Sequence, residues 1–164
     1  MSATSDSRKR KGVSTSEGSQ KKQKSIGNKK WNSIVLKIDG TYETMQLSGL
    51  SDYKKQLGGY IQMLPGNSIG KSVAYVNEEG LLKRLPQNGW SWLLDLLGYN
   101  VPWAFGGVMG NCVICKFSAS SKKKYLQILQ EVDNFKRDED YDLDELCLHI
   151  TKCIELAKNT VKYK

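Results

Sequence analysis

SIVLKIDGTYETMQL, residues 33–47, is the stretch that decides the fold class. Its first six residues, SIVLKI, are rich in β-branched side chains that fit a pleated sheet. DGT at 39–41 supplies turn residues, and YETMQL at 42–47 alternates polar with apolar side chains. The segment reads as a β-hairpin. Downstream, SDYKKQLGG (51–59) opens on Ser51 as an N-cap, carries Asp52 in its first turn and closes on a glycine pair suited to a left-handed cap, so it predicts a short helix. YIQML (60–64) and KSVAYVN (71–77) predict strands separated by the turn-rich PGNSIG. LLKRL (81–85) predicts a further short strand or extended segment that ends at Pro86, with Leu82 and Leu85 in the core.

GWSWLLDLLGY (89–99) sets Trp90, Leu93, Leu94 and Leu97 on one helical face, with Gly98 placed to stop the helix. NVPWAFGGVMG (100–110) has too much Pro and Gly for a regular element and predicts a loop, and NCVICKF (111–117) predicts a buried strand. Two helices follow, 121–135 and 142–164, joined by the acidic KRDEDY. The second carries Asp142, Asp144 and Glu145 early and Lys158, Lys162 and Lys164 late, which suits the helix dipole. Its apolar residues recur at three and four, as a helix packed on one side requires. The expected class is α+β: a small antiparallel or mixed sheet of about five strands with packed helices over residues 31–164, behind a disordered basic tail at 1–30.

Charge separates the tail from the rest. Residues 1–30 hold nine basic side chains against Asp6 and Glu17, a net of +7, while the other 134 residues carry sixteen basic and fifteen acidic ones. A nearly neutral folded part gives no net-charge support for a basic nucleic-acid-binding domain. The tail is poor in apolar residues and has no aromatic side chain, so it lacks the surface whose burial would offset its ordering entropy. Its two clusters, Arg8, Lys9, Arg10, Lys11 and Lys21, Lys22, Lys24, stand nine residues apart on a Ser/Gly-rich spacer. That pattern resembles a bipartite nuclear localisation signal, which implies a nuclear import receptor as partner and the nucleus as destination. The plainer reading is a solvated tail that binds nucleic acid without specificity. No apolar run approaches the eighteen or so residues of a membrane span, and the charged N-terminus lacks the apolar segment of a secretory signal; the expectation is a soluble intracellular protein with no membrane partner.

Four cysteines in such a chain are expected as thiols. Cys112 and Cys115 form a CxxC, but Val113 and Ile114 fill the spacer, and in a strand residues three apart point to opposite faces. Cys147 and His149 diverge by about 200° on a helix, whereas His149 and Cys153 can share a face. Buried small cysteines are the better reading, and neither a metal nor another cofactor is expected. No catalytic residue is assigned. GNSIGKS (66–72) misses the phosphate-loop spacing by one residue and reads as a hairpin turn, and the adjacent Glu78 and Glu79 point apart. Aromatic residues concentrate at 90–105. Trp90 is expected in the core, while Trp92, on another helical face, and Trp103 and Phe105, in the Gly-rich loop, are candidates for binding a protein partner not yet identified.

LGGYIQML (57–64), VAYVNEEGLLKRLPQN (73–88) and GNCVICKF (110–117), in that order, resemble a small domain-of-unknown-function family of phages, mobile elements and large DNA viruses, over residues 34–117. The aromatic segment 89–109 and the basic and helical extensions depart from that family's usual pattern. The resemblance implies a viral or mobile-element source and no activity. The resulting expectation is a non-enzymatic viral accessory protein, directed to the host nucleus, whose globular domain binds a protein partner. The alternative is a nucleic-acid-associated or virion protein anchored by its tail.

Overall fold

The computed structural model describes residues 30–66, 69–138 and 140–161. The basic clusters at 8–11 and 21–24 lie outside the described residues. Five short strands form one antiparallel sheet: β1 (Ser33–Leu36), β2 (Tyr42–Met45), β3 (Ile61–Leu64), β4 (Val73–Asn77) and β5 (Cys112–Cys115), in the order β2-β1-β5-β4-β3. The fold is α+β. The predicted hairpin forms with Leu36 opposite Tyr42, its turn held by Gly40 at φ 83° and by the Asp39 carboxylate, which accepts from the Thr41 N–H at 2.9 Å.

Pairing between the first and last strands makes the centre. β5 lies between β1 and β4, with Ser33, Cys115 and Val73 side by side at one end and Leu36, Cys112 and Val76 at the other. Every residue of β1 and β5 is buried, because helices cover both faces of the sheet. On one face Ile34, Leu36, Ala74, Val76, Cys112 and Ile114 join the main core, packed by α2 (Ser91–Leu96), α3 (Ala119–Lys136) and α4 (Leu143–Val161). On the other face Val35 and Val113 meet Leu47 and Leu57, the last from α1 (Leu50–Leu57). Within the main core the hydroxyls of Ser72, Tyr99 and Tyr125 lie within hydrogen-bond reach of one another, so both phenols are buried with polar partners. Tyr42 donates to the Asp133 carboxylate at 3.1 Å; burial first and Asp133 second push its pKa up to about 12.

Helix ends follow the sequence closely at one terminus and less so at the other. α1 closes on Gly58 at φ 77°, as the glycine pair predicts, but it begins before Ser51. Asp52 supplies the N-terminal contact instead, accepting from the Ser48 N–H and hydroxyl at 2.9 and 3.0 Å, and those bonds hold its carboxyl below the usual range. The face Trp90, Leu93, Leu94 and Leu97 is buried as expected. α3 starts at Ala119 with the Ser118 hydroxyl accepting from the Ser121 N–H at 3.1 Å. Among the described residues no helix is long and apolar enough to cross a membrane.

Candidate interaction surface

Two connections meet where β1 and β4 finish and β5 starts: residues 78–88, leaving β4, and residues 101–111, entering β5. The first is a wound turn and corrects the expected strand. The Asn77 side chain starts it, accepting from the Glu79 N–H at 2.8 Å and donating to the Leu57 carbonyl at 2.9 Å, which ties the turn to the end of α1. The Lys83 N–H then donates to the Glu79 carbonyl and the Leu85 N–H to that of Gly80, at 2.8 and 2.9 Å. Arg84 takes a positive φ of 51°. With no sheet face to alternate against, Leu82 is 85% exposed, contrary to the expected core position; Leu85 is half-buried.

The two connections are bolted together. Gln87 and Met109 form an antiparallel bridge, the Gly110 N–H donates to the Pro86 carbonyl at 2.8 Å, and the Asn88 N–H donates to that of Val108 at 2.7 Å. Asn88 is fully buried. Its Nδ2 donates to the carbonyls of Leu36 and Gly110 at 3.0 and 2.9 Å, and its Oδ1 accepts from the Trp90 N–H at 2.9 Å. One side chain thus joins the end of β1, the approach to β5 and the start of α2. Gly80 is buried against the partner loop, where an added Cβ would stand 2.7 Å from the Met109 carbonyl oxygen.

On this base stands a 3-10 turn, Trp103–Phe105, between Pro102 and Gly106. The Gly106 N–H donates to the Trp103 carbonyl at 3.0 Å, and the Gln87 side-chain amide donates to the Gly106 carbonyl. Ser91 braces the far side, its hydroxyl donating to the Asn88 carbonyl at 2.8 Å and accepting from the Val108 N–H at 3.0 Å. Trp103 and Phe105 are 48% and 62% exposed, and the adjoining turn exposes Leu81 and Leu82. The side chains of Gln87, Asn88 and Ser91 are occupied in holding the platform, which offers outward these four apolar side chains beside the exposed charges of Glu78, Lys83 and Arg84. Trp92 is different: it is half-buried, stacked on Trp90 at 6.5 Å, and packs on the main core.

Sequence reasoning located the aromatic turn and missed the residues that support it. Asn88 carried a readable signal, an Asn three residues ahead of the helix start at Ser91 whose side chain accepts from the N–H two residues on, which is Asx-turn chemistry. Gly80 is legible in sequence only as a turn residue after Asn77; its contact with the distant loop at Met109 is not.

The remaining candidate chemistry is dispersed. Cys112 faces the main core, where burial pushes its thiol far up; Cys115 points to the α1 side, its thiol raised by burial and partly offset by a hydrogen bond with Tyr53. All four cysteines are free thiols. His149 Nε2 lies 3.0 Å from a Glu131 carboxylate oxygen and 3.9 Å from the Cys153 sulfur, so the same nitrogen faces both groups and no relay through the ring is formed. Among the described residues no group of three or more His, Cys, Asp or Glu is arranged to hold a metal ion. Glu79 pairs with Lys83 at 3.0 Å on the surface.

No curated protein and no solved structure matches the chain. A family model does match, over residues 31–137, which takes in the whole sheet, the loop platform and α3 and leaves α4 outside. The chain belongs to the family described as a domain of unknown function, DUF3846.

Proposed function

We propose that this is a non-enzymatic binding module, a viral accessory protein that engages a protein partner through the Trp103–Phe105 turn and the adjoining Leu81–Leu82 coil. The paired basic clusters from Arg8 to Lys24 direct it to the host nucleus through an import receptor. One observation carries the reading: two large aromatic side chains stand exposed on a turn whose backbone is fixed on both sides by hydrogen bonds. Aromatic anchors already held in place give contact area at little entropic cost, which is the character of a binding hot spot. Polar residues would serve as well if the turn were only a connection.

The test is affinity capture from nuclei with the full-length protein and its Trp103→Ala/Phe105→Ala variant. The expected result is a protein retained by the natural chain and reduced at least about 30-fold by the double variant, as the loss of two hot-spot side chains implies. The variant's circular dichroism and melting temperature should stay within about 2 °C, because both side chains leave solvent-exposed positions. Identical captured sets would remove the reading.

A further inference from the structure

Net charge close to zero conceals a strong segregation of charge in the folded part. No Asp or Glu occurs between residues 96 and 130, whereas residues 131–145 hold eight acids against Lys136 and Arg137. α3, 18 residues and so about 27 Å long, has lysines near its start and acids around its end. Strand register gathers more lysines at that start. Ser33, Cys115 and Val73 are adjacent in the sheet; Lys30 precedes the first by three residues, Lys71 precedes the last by two, and Lys116 follows Cys115 directly. Three lysines from distant parts of the chain thus converge on one end of three neighbouring strands, the end opposite the loop platform.

The lysines of α3 join them. An added Cβ on Gly70 would stand 2.6 Å from Ser121 Cβ, so the turn carrying Lys71 is seated on the first turn of α3. Lys122 lies 4.2 Å from the Trp31 ring centroid and donates to the Trp31 carbonyl, which ties α3 to the backbone next to Lys30. Lys30, Lys71, Lys116 and Lys123 are exposed, Lys122 and Lys124 half-buried, and none of the six belongs to an ion pair among the described residues. Asp52, the acid on the nearby α1, is turned to Ser48. Lysines close to a helix start work against the helix dipole, so helix stability does not account for them.

We propose that these six lysines form a face that tracks the phosphate backbone of a nucleic acid. Phosphate repeats suit a row of ammonium groups without ion-pair partners or base-reading side chains, so the binding is independent of sequence and steeply salt-dependent. A membrane surface would call for an aromatic-rich apolar cluster among the lysines; the exposed aromatics Tyr60, Trp103 and Phe105 stand at the opposite end, and the exposed apolar side chain beside Lys116 is an aliphatic one, Leu50. This face is separate from the Trp103–Phe105 platform, and neither reading depends on the other.

Fluorescence anisotropy with a labelled 30-bp DNA duplex tests it, using full-length protein from 50 to 200 mM KCl. Lys116→Gln/Lys123→Gln/Lys124→Gln is compared with a triple of equal charge change elsewhere, Lys37→Gln/Lys55→Gln/Lys152→Gln. The face triple should weaken binding at least about 10-fold at 100 mM salt and lower the log–log salt slope by roughly 2–3, the number of phosphate contacts removed. The control triple should weaken it less than about 3-fold, as lost long-range attraction alone implies. The proposal is overturned if the two triples behave alike, if the natural chain does not bind the duplex, or if phosphatidylserine vesicles bind it more tightly than DNA does.

Discussion

Asn88→Asp is expected to destabilise the domain by about 3–5 kcal/mol, among the largest effects of a change of so little volume. In the native protein Nδ2 donates to two carbonyl oxygens, of Leu36 and Gly110, at a site without solvent exposure. Aspartate has the same shape and no donor there when ionised, so two oxygens would face two oxygens; when protonated it restores at most one of the bonds. Urea denaturation should show the loss in the midpoint, together with a melting temperature lowered by roughly 10 °C or more. Asn100→Asp, at an exposed site, should change stability by less than about 0.5 kcal/mol.

Gly80→Ala should cost about 2–3 kcal/mol for a steric reason alone. Gly80 does not have a positive φ, so a side chain is conformationally permitted; the obstacle is the Met109 carbonyl oxygen 2.7 Å from the new Cβ. That oxygen belongs to the backbone of the partner loop and cannot swing aside, so the two connections must separate. Gly89→Ala, nine residues on, meets nothing within 4 Å and should be nearly neutral, within about 0.5 kcal/mol. A difference between these two variants in urea denaturation measures the docking of one loop on the other. Equal stability would mean that the loops are not in contact.

The parts of the fold that were legible are those fixed by local chemistry. The hairpin followed from a β-branched run and DGT, the end of α1 from its glycine pair, and the buried face of α2 from Trp90, Leu93, Leu94 and Leu97. What required the structure depends on residues distant in sequence. Nothing in CVIC says that it pairs with SIVL about eighty residues earlier and with VAYVN on its other side, and those pairings set the strand order and gather Lys30, Lys71 and Lys116. LLKRL looked like a strand because its leucines could line a core, but the segment lies beyond the end of β4 and winds into a turn that exposes Leu82. Trp103 and Phe105 were recognisable in sequence as exposed-loop aromatics, whereas their rigidity comes from Gln87, Asn88 and Ser91, whose role depends on a chain reversal that brings 78–88 to 101–111.

The central claim is that these two loops form one fixed platform, and amide hydrogen exchange resolved by residue tests it most directly. The amides of Leu85, Asn88 and Gly110, bonded to the carbonyls of Gly80, Val108 and Pro86, should be protected to a degree approaching that of β1 and β5. Exchange of these three within minutes, as in open loops, while the sheet amides stay protected would contradict it.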